Sequence, residues 1–186
     1  MSYVLQTIND PSVETKVRNV DIYKNLVYKD VELNTFKHVD ASGSQDVTVR
    51  NAVSADPAES IDSAVVARLV AFREAKLRKI LQKHLADEPQ AYADDGLSVA
   101  DDRFRFWFNF PSTFKDALLQ PLAEYMHRFL VFGALFDWYT QLGMVQQASV
   151  YGSQLDGLED DIKSMFGGAS VVTRPMQPFG PAYKFK

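Results

Sequence analysis

Catalysis requires acids, bases or nucleophiles that can converge, so the titratable residues with scarce side chains are the first to place. The 186 residues hold three histidines, His38, His84 and His127, and no cysteine. Thiolate nucleophiles, disulfide frameworks and Cys-ligated zinc are therefore excluded. No His-x-x-x-His pair, glycine-rich phosphate loop or nucleophile elbow occurs. His127 sits beside Arg128 in the most apolar stretch of the chain, where a hydrogen-bonded core or interface histidine is a simpler expectation than a base. Glu124 and Asp137 flank it, but no further group supports an acid–base role for the two. Asp94, Asp95, Asp101 and Asp102 invite a calcium reading, yet their spacing does not fit an Asp-rich loop closed by a Glu at its twelfth position. The expectation is a protein without catalytic residues, metal or cofactor.

Those residues need elements to hold them, and composition sets the scale. Apolar residues at 46% and charged residues at 24% are ordinary for a globular chain, and the length suits one domain with appendages. Aromatics reach 12%, with thirteen Phe, eight Tyr and two Trp. Such side chains dominate cores and interfaces because each removes a large area from water. A net charge of −4 argues against a sequence-independent nucleic-acid binder, which needs a clustered excess of Lys and Arg for phosphate. No apolar run approaches a membrane span, and Met1 to Gln6 lack the basic-then-apolar pattern of a signal peptide. A soluble chain assembled in a reducing cytoplasm is expected.

The expected architecture is mainly α: a helix bundle of about three long helices, a short aromatic strand, and extended arms at both ends. Residues 1–57 show no sustained helical stripe, only short pieces such as Val20–Tyr23 and Leu26–Tyr28 between polar breaks, which predicts an extended arm with short strands. It is ordered either by a partner surface or by wrapping the chain's own helices. A helical core follows over 58–166. Ser54-Ala55-Asp56-Pro57 begins the first long helix, and the apolar set Ile61, Val65, Leu69, Phe72 and Ile80, widened by Val66, Val70, Leu77 and Leu81, predicts one broad buried face. Lys76, Arg78, Lys79 and Lys83 near its end suit the helix dipole and are expected to be solvated.

In Arg103–Phe110, Phe104, Phe106, Phe108 and Phe110 fall on one side while Arg103, Arg105 and Asn109 face the other way, which predicts a strand over 103–110 with one strongly apolar face. Stacking of single-stranded nucleic acid on the Phe row is the sharper reading and burial in a core the simpler one. Such a strand needs backbone partners in the N-terminal arm or in a neighbouring subunit. Pro121 marks a kink or a first helical turn. From Leu122 to Leu142, Tyr125, Phe129, Phe132, Phe136 and Tyr139 lie at helical spacing and Trp138 helps widen the stripe to more than half the circumference, so this helix is central or faces another subunit. Gly143 is expected as its left-handed cap. A last helix spans about 145–165, with Val150, Leu155, Leu158, Ile162 and Met165 inward and Glu159, Asp160 and Asp161 outward. Residues 167–186 then form an extended docking tail: Pro175, Pro178 and Pro181 forbid continuous helix, Arg174, Lys184 and Lys186 make it basic, and Phe179, Tyr183 and Phe185 offer anchors.

The segment Pro121-Leu122-Ala123-Glu124-Tyr125-Met126-His127-Arg128-Phe129-Leu130-Val131, then Phe136-Asp137-Trp138-Tyr139, Gln147-Ala148 with Tyr151, and the tail Val172-Thr173-Arg174-Pro175-Met176-Gln177-Pro178-Phe179 resemble virion proteins of tailed phages and prophages of Bacteroidota. The layout resembles that of bacteriophage head–tail connector (adaptor or neck) proteins, and the likeness covers about residues 100–186. It implies a structural, portal-associated virion protein, a homo-oligomeric ring (a dodecamer by that resemblance) docked through its arms on the portal protein and other neck or tail proteins. The implied place is the neck of the virion, after assembly in the host cytoplasm. A tail-completion or capsid-associated subunit is the alternative within virion biology, and a DNA-binding packaging or regulatory protein the alternative outside it.

Overall fold

The computed structural model describes residues 7–8, 15–41, 60–87, 102–111 and 114–166. The chain is mainly helical with a small antiparallel sheet. In chain order the elements are β1 (Thr7–Ile8), β2 (Thr15–Tyr23), α1 (Lys24–Ala41), α2 (Ser60–Leu81), β3 (Arg103–Pro111), a 3-10 turn over Asp116–Leu118, α3 (Leu119–Gln141) and α4 (Val145–Phe166).

The Phe row forms a strand because alternation gives it one face to bury. Its partner is N-terminal: β2 runs antiparallel to β3, with Val20 opposite Phe106 and Ile22 opposite Phe104, while β1 pairs with the far edge of β2. The other edge of β3 is covered by the chain leaving α2. Asn109 N–H donates to the His84 carbonyl at 2.9 Å and Ala86 N–H to the Trp107 carbonyl at 2.8 Å, and Leu85 bridges Phe108. The backbone groups of β3 therefore find partners on both sides within the same chain.

One expectation for the N-terminal segment is corrected. Residues 24–41 are helical rather than extended, so this part of the 1–57 arm belongs with the core; the described helices number four. The physical reason is a narrow stripe, Val27, Val31 and Thr35, at four-residue steps, each fully buried. The expected extended conformation of residues 9–14 and 42–57, and of the tail 167–186 with Arg174, Pro175, Pro178, Phe179, Tyr183 and Phe185, lies outside the described residues.

The core fills the space between the Phe face of the sheet and the helices. Phe106, Phe108, Leu77, Leu122, Met126, Leu130, Leu135 and Tyr139 are among its least exposed members. Each such apolar side chain contributes about 1.5–3 kcal/mol of transfer free energy. α3 is the central helix, packing against α1, α2, α4 and β2. Pro121 sits in its first turn, where a missing N–H costs nothing, and introduces no break. The helix ends at Gly143 (φ 71°), with Gly143 N–H donating to the Thr140 carbonyl at 3.1 Å and Met144 N–H to that of Tyr139 at 2.9 Å. That is a Schellman turn, and it folds α4 back antiparallel along α3. α2 ends at Leu81, short of the expected Leu85, because Leu85 is taken into the sheet.

Candidate functional site

The nine aromatics expected in a core or subunit interface are held within the chain's own core. Phe104, Phe106, Phe108, Phe110, Phe129 and Trp138 are buried, and Tyr125, Phe132 and Phe136 are partly buried against the same cluster. Stacking of nucleic acid on the Phe row is thereby overturned, since no base can reach it. At its end the row continues into α4: Phe166 lies 5.4 Å from the Phe110 ring, 5.2 Å from Phe108 and 4.6 Å from His84, parallel to Phe110 and His84. Burial and the neighbouring Lys83 charge lower the His84 pKa, so the imidazole that stacks there favours its neutral form.

Among the ionisable groups raised from the sequence, Asp137 and His127 are committed to pairs across elements. Asp137 accepts from Arg73 Nε at 2.7 Å and from Arg73 Nη2 at 2.5 Å, a bidentate clamp between α2 and α3. The Arg73 side chain is only 5% exposed and its guanidinium also lies 5.3 Å from the Phe136 ring centre. Gly133 makes room for it: a Cβ there would lie 2.6 Å from Arg73 Cδ. Asp137 is thus a structural counter-ion, and Glu124 is not part of this clamp.

On the sheet face away from the Phe row, Asp21 is completely buried and accepts from Arg105 Nε and Nη2, both at 2.8 Å, and from Arg103 Nη1 at 3.3 Å. The residues that the alternation turned away from the core thereby tie β2 to β3. Arg18 joins the sheet to Asp116 at 3.3 Å, at the entrance to α3. His127 Nε2 lies 2.8 Å from Asp30 Oδ2, which makes the histidine a tie between α3 and α1. Arg78 pairs with Glu74, donates to the Arg105 carbonyl at 2.8 Å and lies 4.5 Å over the Phe106 ring. Among the described residues no group of His, Asp and Glu is arranged to hold a metal ion, and no helix is long and apolar enough to cross a membrane. Of the loop acids raised from the sequence, Asp94, Asp95 and Asp101 lie outside the described residues.

What the chain leaves exposed includes a set of apolar residues on outer helix faces. Phe72 and Val150, both expected inward, are 61% and 50% exposed, and Val145 is 75% exposed. Both fall at the edge of a stripe whose other members fill the core, so spacing alone misassigned them. Phe72 borders an open groove of about 470 Å³ lined by Arg68, Leu69, Asp137, Thr140 and Gln141. Lys76, Lys79 and Lys83 are exposed along the same helix face, as their position near the helix end implied. The candidate functional surface is therefore the outside of α2 and α4 together with the root of the tail. Compared with protein families, with curated proteins and with solved structures, the chain shows no match.

Proposed function

We propose that the chain is a structural virion protein that forms a ring in the head–tail connector, or neck, of a tailed bacteriophage. In this reading the helix bundle is the body of the ring, and the tail docks on the portal or adjoining neck proteins. The observation that carries it is the seating of Phe166 among His84, Phe108 and Phe110. This packing fixes the last turn of α4 to the sheet, so a tail bearing Arg174, Pro175, Pro178, Phe179, Tyr183 and Phe185 leaves from a rigid root. A proline-restrained segment held at a fixed origin loses less entropy on docking than a free peptide. The residue pattern over Pro121–Val131 and Val172–Phe179, which resembles tailed-phage virion proteins, and a layout that resembles connector proteins supply the kind of assembly. A tail-completion or capsid-associated role would use the same root and tail.

Disruption of the coding sequence in the parent phage tests this directly. Heads and tails should accumulate unjoined, and supplying the chain in trans should restore joining. Normal infectious particles without the chain would refute the reading. The DNA-binding alternative draws on the exposed Lys76, Lys79 and Lys83. It would show as a duplex shift weakening steeply with salt, which the net charge of −4 argues against.

A further inference from the structure

α2 and α4 flank α3 on two different sides. Arg68 and Leu69 lie by Thr140 and Gln141, and Arg73 by Gly133, so α2 runs antiparallel to α3. α4 returns antiparallel to α3 as well, with Phe132 and Tyr139 against Tyr151. The two outer helices are thus parallel to one another, and both end at the sheet, where His84 meets Phe166.

Their exposed faces carry opposite charge in the same order. On α2, Phe72, Lys76 and Lys79 fall within an arc of about 60° on an ideal helix, and exposed Lys83 follows in the turn after Leu81. On α4, exposed Val150, Ser153 and Asp160 fall within an arc of about 80°, and exposed Asp156 and Asp161 stand on its two edges. In both, an apolar or small patch comes first and the charges lie one to two turns nearer the sheet. Phe72 to Lys79 spans the same seven positions as Ser153 to Asp160, or about 10 Å of helix. A Cβ added at Gly157 would meet nothing within 4 Å, so the middle of the α4 face is low and open. None of these six charged residues forms an ion pair among the described residues; Lys163, on the flank, is held by Glu159 at 2.7 Å.

We propose that the α2 face of one copy docks on the α4 face of the next. Phe72 lies against Val150 and Ser153, with Lys76, Lys79 and Lys83 facing Asp156, Asp160 and Asp161. The occupant is a second copy of this chain because charge, order and direction all match. Rotation about an axis roughly along the helices keeps α2 and α4 parallel between neighbours, as the two charge sequences require. The contact joins two different faces, so it is heterologous and propagates until a ring closes. It rests on the ring reading above and names the surface that builds the ring.

Charge reversal tests it in the full-length chain, read by mass photometry and negative-stain microscopy over a concentration series, with circular dichroism as a control for folding. Lys76→Glu with Lys79→Glu should raise the concentration for half-assembly at least about tenfold, since like charges then meet across the interface. Asp156→Lys with Asp160→Lys should do the same. An equimolar mixture of the two variants should assemble again, because each supplies the face that the other needs, and so should one chain carrying all four changes. Wild-type rings together with reversed variants that assemble normally would overturn the α2–α4 contact while leaving the ring reading intact. So would loss of assembly that neither the mixture nor the fourfold variant restores. A wild-type chain that stays monomeric throughout would overturn both.

Discussion

Replacing Asp137 with Ala removes the carboxylate that clamps Arg73 and leaves a guanidinium of 5% side-chain exposure between α2 and α3. Breaking a buried pair by deleting one partner typically costs about 3–5 kcal/mol, because the remaining charge is uncompensated. Asp137 is itself 18% exposed and Phe136 offers a ring face at 5.3 Å, so water and the aromatic cloud recover part of the loss. The lower end, about 3 kcal/mol, is expected, equivalent to ~100-fold in the folding equilibrium and a fall in Tm of about 6–12 °C for a domain of this size. Arg73→Met should cost less, about 1–2 kcal/mol, since the stranded carboxylate lies near solvent and the Met stem still packs over Gly133. Arg73→Met combined with Asp137→Leu should regain most of the stability, because two apolar partners need no desolvation of charge. Urea unfolding at one fixed, low protein concentration provides the readout. If Asp137→Ala costs under about 1 kcal/mol, the pair behaves like an exposed one and the reasoning from burial is wrong.

Gly133→Ala should destabilise by about 1–3 kcal/mol by denaturant midpoint, because the new methyl falls on an Arg73 side chain that the clamp prevents from moving. Phe106→Asp, which puts a carboxylate at a position of no exposure opposite Val20, should abolish cooperative unfolding or cost more than about 4 kcal/mol; unchanged stability would show that the Phe row is not core. Burial raises the hydroxyl pKa of Tyr139, and those of Tyr28 and Tyr151 with it. A raised folded-state pKa means the native chain keeps its protons longer than the unfolded chain, so stability should hold up to the unfolded value near pH 10 and fall above it. Tyr139→Phe should flatten that alkaline slope. Deleting Pro175–Lys186 should leave the core folded by circular dichroism while abolishing incorporation into particles; truncated subunits that unfold, or that incorporate normally, would each end the docking proposal.

Periodicity made the strand, α3, α4 and the Gly143 turn legible, because each has a dense apolar pattern or an unambiguous terminator. α1 was hidden: Val27, Val31 and Thr35 form a stripe one residue wide, and the exposed Leu26 and Leu33 blur it into what reads as short strand pieces. Spacing also places Phe72 and Val150 inward, since it defines a face but not the edge at which a neighbouring helix stops covering it. The Arg73–Asp137 clamp joins residues 64 positions apart, and residue type alone says nothing about which distant partner a charge meets. Gly133 was the one local trace of it, a residue without a side chain in the middle of an otherwise bulky helix, where glycine costs about 1 kcal/mol unless something needs the space.

The neck assignment is tested most directly by a cryo-EM map of the parent particle. The account predicts a ring of this chain beneath the portal, with density for α2 of each copy lying parallel against α4 of the next and the tail seated on an adjoining protein. A resolved neck in which no ring has this fold would contradict it.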